Sequence, residues 1–217
     1  MKLVWTPETA SEAYIDTVQS CGNFADSGVA ELLSAMAAGW NAKLIVETWS
    51  QGNPIATSIG LAVAARHTCG SHVCIVPDER SRLEYESGMR KAGIEEIDAR
   101  AGEPEELMPR LAGVDFLVVD SNRREFTSVL RHASLSGKGA VVACKNATQR
   151  VVSGFGWQAA LGKERRVVRS VLLPVGKGLD IAHVGSSGAR GGSSKSPNRW
   201  IKHVDQRSGE EHVFRGQ

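Results

Sequence analysis

No apolar run in this sequence approaches the roughly 20 residues that a membrane-spanning helix requires. The first residues, Met1 to Pro7, contain no apolar segment followed by a small-residue cleavage site, and they lead straight into a helix signal. The expected location is therefore cytoplasmic, with the nucleus open. The four cysteines, Cys21, Cys69, Cys74 and Cys144, form no C-x-x-C pair and no zinc spacing. That excludes a dithiol redox motif and a zinc finger, and the thiols are expected to be reduced and structural. Internal repeats and heptads are missing too, so solenoids and coiled coils are set aside. Basic residues are not massed in one patch. From Lys163 onward there are 11 Lys and Arg against 5 Asp and Glu, whereas residues 1–162 carry 15 against 19. This mild basic bias at the C-terminal end fits a solvated surface, or contact with RNA, phosphate or an acidic protein.

What remains is an ordinary soluble composition, 41% hydrophobic and 23% charged over 217 residues, enough for one domain with a full core. Thr6-Pro7-Glu8 reads as a helix start, followed by Ala10, Ala13, Tyr14 and Val18 on one face and by Gly22 as a stop. A second helix is expected over 29–38, with Leu32, Leu33 and Met36 buried. From there strands and helices alternate. Apolar runs at Lys43–Thr48, His72–Val76, Val114–Asp120 and Ala140–Cys144 read as strands covered on both faces. A weaker run, Ile94–Ala99, belongs nearer an edge. Helical patterns lie near Pro54–His67, Ser81–Ala92, Glu103–Leu111 and Arg124–Leu135. This alternation predicts a parallel, doubly wound α/β sheet with helices on both faces. Arg166–Leu173 and Leu179–Val184 are separated by only Pro174-Val175-Gly176-Lys177-Gly178, too short for a crossover helix, so they should form an antiparallel hairpin. The expected organisation is an α/β domain over 1–185, a Gly/Ser linker over 186–198, and a small hairpin or docking peptide over 199–217.

Four passages in the right order carry a family resemblance. They are Glu31-Leu32-Leu33 through Asn41-Ala42-Lys43, Val46 through Asn53 with Leu61-Ala62, Asp115 through Asn122, and Leu173 through Leu179. Over roughly residues 26–184 the chain resembles the S-adenosylmethionine-dependent O-methyltransferases of the caffeoyl-CoA type. It looks closest to a plant family of unknown function described as methyltransferase-like. The resemblance implies a Rossmann-like class I methyltransferase fold, with the cofactor beyond the carboxyl ends of the strands, and a homodimer. The implied cofactor-binding positions are Glu47, Thr48, Trp49, Gly52, Asn53 and Asp78. The implied catalytic set is Asp120, Lys145 and Asn146.

Three departures from the family pattern stand out. Trp49 and Asn53 occupy positions where the pattern has glycines that let the cofactor approach the backbone, leaving Gly52 as the only loop glycine. The acidic residue expected at the end of the second strand is replaced by Val76, with Asp78 two residues on as a substitute or as the start of the next helix. Lys145 stands where the family's divalent-metal site has its middle carboxylate, between Asp120 and Asn146. An ammonium repels a cation, so no metal is expected, and Lys145 is expected either to pair with Asp120 or to point to solvent. Without a metal, methyl transfer needs another base, for which His67, His72 and His132 qualify by residue type and Lys145 by a lowered pKa.

The leading reading is thus a divergent methyltransferase-like protein with degenerate cofactor and metal motifs. It would bind S-adenosylmethionine or a nucleoside weakly and not methylate catechols with metal assistance. The alternatives are an active metal-free methyltransferase on a small molecule, or a non-catalytic interaction or RNA-binding protein that uses Trp200 and Phe214 in its tail.

Overall fold

A computed structural model of the chain describes residues 5–22, 28–121, 126–148, 155–162 and 164–186, with the backbone of 200–204 and 211–215. Two helices open it, α1 (Pro7–Cys21) and α2 (Val29–Gly39), and then β1 (Leu44–Thr48), α3 (Ala56–Thr68), β2 (Ser71–Val76), α4 (Glu79–Lys91) and β3 (Asp98–Ala101) alternate. A short helix α5 (Pro104–Leu107), a 3-10 turn (Met108–Arg110), β4 (Ala112–Val114), β5 (Phe116–Asp120), α6 (Phe126–His132), β6 (Ser134–Leu135) and β7 (Ala140–Lys145) follow. The last elements are α7 (Trp157–Leu161), β8 (Val167–Leu173), β9 (Leu179–Val184), β10 (Trp200–Val204) and β11 (Glu211–Arg215). Among the described residues no helix is long and apolar enough to cross a membrane.

Seven strands form one sheet in the order β3-β2-β1-β5-β7-β9-β8. The first five are parallel, and β9 runs antiparallel to both β7 and β8. The strands are nearly continuous in apolar residues because both faces are covered. Ile45, Phe116, Val118 and Val141 pack toward α1–α4, while Val46, Leu117, Val119 and Val142 pack toward α6 and α7. The expected edge position for the weakest strand is met by β3. β10 and β11 pair antiparallel. The proposed linker, Ser186 apart, lies outside the described residues.

The structure corrects several expectations. The inner face of α1 is Ala10, Ala13, Thr17 and Cys21, whereas Tyr14 and Val18 are 49% and 44% exposed. Small residues win the inner face because α1 lies close on α2, where the Thr17 hydroxyl donates to Ala13 O at 2.7 Å and lies 2.8 Å from Ser34 Oγ. On α2, Leu33 is fully buried but Leu32 and Met36 only partly so. The run Val114–Asp120 is two strands, broken at Asp115, whose carboxylate accepts from Lys43 N at 2.9 Å and so ties down the entry to β1. The helix expected over Glu103–Leu111 winds for only one turn before the 3-10 turn at Pro109, a residue with no N–H to continue it. The pattern over Arg124–Leu135 yields only α6 and the two-residue β6.

Candidate functional site

The strand order reverses between β1 and β5, and Asn53 after β1, Ser121 after β5 and Asn146 after β7 come together there through hydrogen bonds, as expected for a ligand crevice in an open α/β sheet. Glu47, the next-to-last residue of β1, is fully buried on the face of α3 and α4. Tyr85 Oη donates to its Oε1 at 3.0 Å, and His72 Nε2 lies 3.2 Å from the same oxygen. Burial pushes the Glu47 carboxyl up, but contact with the His72 imidazole and the charges of His72 and Lys145 more than offset this, and its pKa lies below the ordinary value. Burial, with the Glu47 charge next, drives the Tyr85 phenol well above its ordinary range. Neither group reaches solvent.

Trp49 leaves β1 inward. It is 3% exposed, belongs to the core cluster, and meets Tyr85 edge-on with ring centroids 5.5 Å apart. Its indole N–H donates to Asn53 O at 3.2 Å, closing the loop on itself. Thr48 is buried beside it. Gly52 has φ +81°, and a Cβ there would meet nothing within 4 Å. Its N–H donates weakly to Glu84 Oε1 at 3.4 Å. At the end of β2, Val76 is fully buried, and Asp78 caps α4 by accepting from Ser81 N at 2.7 Å. That hydrogen bond holds its carboxylate below its ordinary pKa. The Asp78 side chain is therefore engaged at the helix start.

The other half of the crevice is polar. Asp120, at the end of β5, is 3% exposed and accepts from Asn146 Nδ2 at 2.8 Å and from Asn53 Nδ2 at 3.4 Å. Asn146 takes a left-handed φ of 59°, and its carbonyl accepts from Ser121 Oγ at 2.7 Å. Lys145 lies in register with Asp120 on the adjacent strand. These residues line a pocket of about 160 Å³, together with Asn53, Thr57 and the starts of α2 and α3. The structure thus brings Asp120, Lys145, Asn146 and Asn53 together, but leaves Glu47, Thr48, Trp49, Gly52 and Asp78 outside that pocket. The three histidines suggested as bases are also elsewhere: His67 sits 2.8 Å from Asp16, His132 bonds within α6, and His72 abuts Glu47.

One charged pocket residue escaped the sequence reading. Lys177 sits on the β8–β9 turn, inside the motif that resembles the family hairpin. Its carbonyl accepts from Thr148 Oγ1 at 2.7 Å, and Ala147 N donates to Gly178 O at 2.9 Å. Gly178 has φ +87°, and a Cβ there would lie 2.3 Å from Thr148 Oγ1, so only glycine lets the turn close on the loop after β7. The lysine between two glycines was the available signal.

Solved structures place this architecture. A methyltransferase from Geobacter sulfurreducens is 20% identical, with a TM-score of 0.58 over 82% of this chain and 88% of that one. The O-methyltransferase TomG from Streptomyces achromogenes, solved with S-adenosylmethionine, is 23% identical, with a TM-score of 0.57 over 81% and 90%. The methyltransferase PaMTH1 from Podospora anserina, solved with S-adenosylhomocysteine, is 17% identical, with a TM-score of 0.54 over 82% and 88%. At these identities the likeness establishes the fold, that of the class I methyltransferases. No curated protein matches the sequence. The model of a family of proteins of unknown function, DUF1442, matches residues 1–216, and the chain belongs to that family.

Proposed function

We propose that this chain is a divergent S-adenosylmethionine-dependent methyltransferase-like protein that binds the methyl donor or a related nucleoside weakly and does not carry out metal-dependent catechol methylation. The observation that carries this reading is Trp49, buried against Tyr85 at the turn where a glycine would give a cofactor access to the backbone. Two features support it. The strand-end pocket, at about 160 Å³, is below the roughly 300 Å³ at which sites for small organic ligands begin, so the whole cofactor does not fit it. The polar side chains that line the pocket with Asp120 are two amides, a hydroxyl and two ammonium groups. A hard divalent cation does not fit that set, because it needs several oxygen ligands and Lys145 opposes it in charge. The pocket instead has room for one compact polar group of a small ligand, framed by Asp120, Lys145 and Asn146.

Calorimetric titration with S-adenosylmethionine and its demethylated product, with and without Mg²⁺, tests this. The expected result is a Kd of about 0.1 mM or weaker, unchanged by Mg²⁺, with no turnover of a catechol. Low-micromolar binding with Mg²⁺-dependent turnover would overturn the proposal, and no binding of either compound at millimolar concentration would overturn its ligand half.

A further inference from the structure

The polar half of the crevice has the charge balance of an anion site. Two ammonium groups, Lys145 and Lys177, line it against one carboxylate, Asp120. That carboxylate already accepts hydrogen bonds from Asn146 and Asn53. Glu47 is sealed in the core with Tyr85 and His72 and does not line the pocket. Thr57, Asn53 and Asn146 add side chains able to hydrogen-bond.

The start of α3 adds to this balance. Val29 and Ala30 from α2, an 11-residue helix, and Ala56 and Thr57 from α3, a 13-residue helix, are part of the lining. Neither helix has a side-chain hydrogen bond from its N-cap residue, Gly28 or Ile55. The start of α3, with no acidic residue in its first turn, carries about half a positive charge on its unpaired N–H groups, whereas at α2 the Glu31 carboxylate accepts from Gly28 N at 3.0 Å and offsets that charge. Lys177 is held in place by the turn locked onto Thr148, and Lys145 by the strand ladder to Asp120.

We infer that this pocket binds a compact anion, the phosphate or carboxylate group of a small molecule, with Lys145 and Lys177 as its paired charged contacts. The inference rests on the reading of this crevice as the substrate site, and it names the substrate's chemical class. Size agrees: about 160 Å³ is the space of roughly five waters at about 30 Å³ each, enough for a phosphate or a short carboxylic acid.

The test uses the full chain without S-adenosylmethionine, titrated with inorganic phosphate and separately with acetate at ionic strength held constant with NaCl. At least one anion should bind at millimolar Kd or tighter, and Lys145→Met and Lys177→Met should each weaken it tenfold or more. Stronger binding of phosphate marks a phosphoryl substrate, and stronger binding of acetate a carboxylic acid. Lys177 is exposed on a turn, so its variant reports even if Lys145→Met fails to fold. Absence of binding by both anions, or undiminished affinity in the Lys177 variant, overturns the inference. Anion binding without any response to S-adenosylmethionine would sink the proposed function and leave this site standing. The reverse outcome would sink this site alone.

Discussion

The two halves of the strand-end crevice have taken opposite courses on one backbone. On the β1–β2 side the side chains turn inward: Trp49 joins the core, Val76 is sealed, Glu47 is held by Tyr85, and Asp78 is spent on capping α4. On the β5–β7 side they remain around an open pocket, with Asp120, Asn146, Lys145 and Lys177 at its wall. The topology alone makes the crevice. Whether it stays a crevice is decided by the volume and polarity of a few side chains at its edge.

The sharpest way to break this contrast is at Trp49. If the indole is core, Trp49→Ala should cost about 3–5 kcal/mol, read by urea denaturation. A loss below about 1 kcal/mol would mean that the ring contributes little packing. Next comes the turn that holds the open half. Gly178→Ala puts a Cβ 2.3 Å from Thr148 Oγ1 at a positive φ, which should cost roughly 3 kcal/mol. Gly52→Ala, equally left-handed but with open space around it, should cost only about 1 kcal/mol. Equal losses at the two glycines would contradict the close approach.

Tyr85→Phe removes a donor from a buried carboxylate and should cost about 1–3 kcal/mol. The same pair predicts a pH dependence. Because the folded pKa of Glu47 is lowered, its contribution is present above the ordinary value of 4.5 and is lost as pH falls through the folded value. The raised pKa of Tyr85 works the other way, and its contribution is lost as pH climbs past the ordinary value of 10.0. Glu47→Gln should flatten the acid limb of a stability–pH curve, and an unchanged limb would contradict the assignment. An effect as small as that at Gly52 is expected at Asp78. Loss of the cap in Asp78→Ala should cost about 1 kcal/mol and leave nucleoside affinity unchanged. A large drop in affinity would instead give Asp78 a ribose-binding role.

Much of the fold was legible because strands covered on both faces must be apolar throughout, as Val46, Val73, Leu117 and Val142 are. The closing hairpin was legible because five residues between two strand-like runs cannot form a crossover. Asp120 and Asn146 were singled out by the resemblance to the O-methyltransferases and not by spacing. Other features depend on three-dimensional packing that spacing does not encode. The direction of the Trp49 indole depends on a gap beside Tyr85, 36 residues away in sequence. The inner face of α1 goes to Thr17 and Cys21 over Tyr14 and Val18 because helix approach distance outweighs hydrophobicity there. Lys177 was visible in its motif, but its place on the pocket wall follows from the turn folding back onto Thr148.

The most direct measurement is a side-by-side calorimetric titration of S-adenosylmethionine into the wild-type chain and Trp49→Gly. If the indole closes the nucleotide half, the glycine variant should bind at least tenfold more tightly than the weak wild type. Equal affinity in the two proteins, or tight binding by the wild type, would contradict a crevice closed by Trp49.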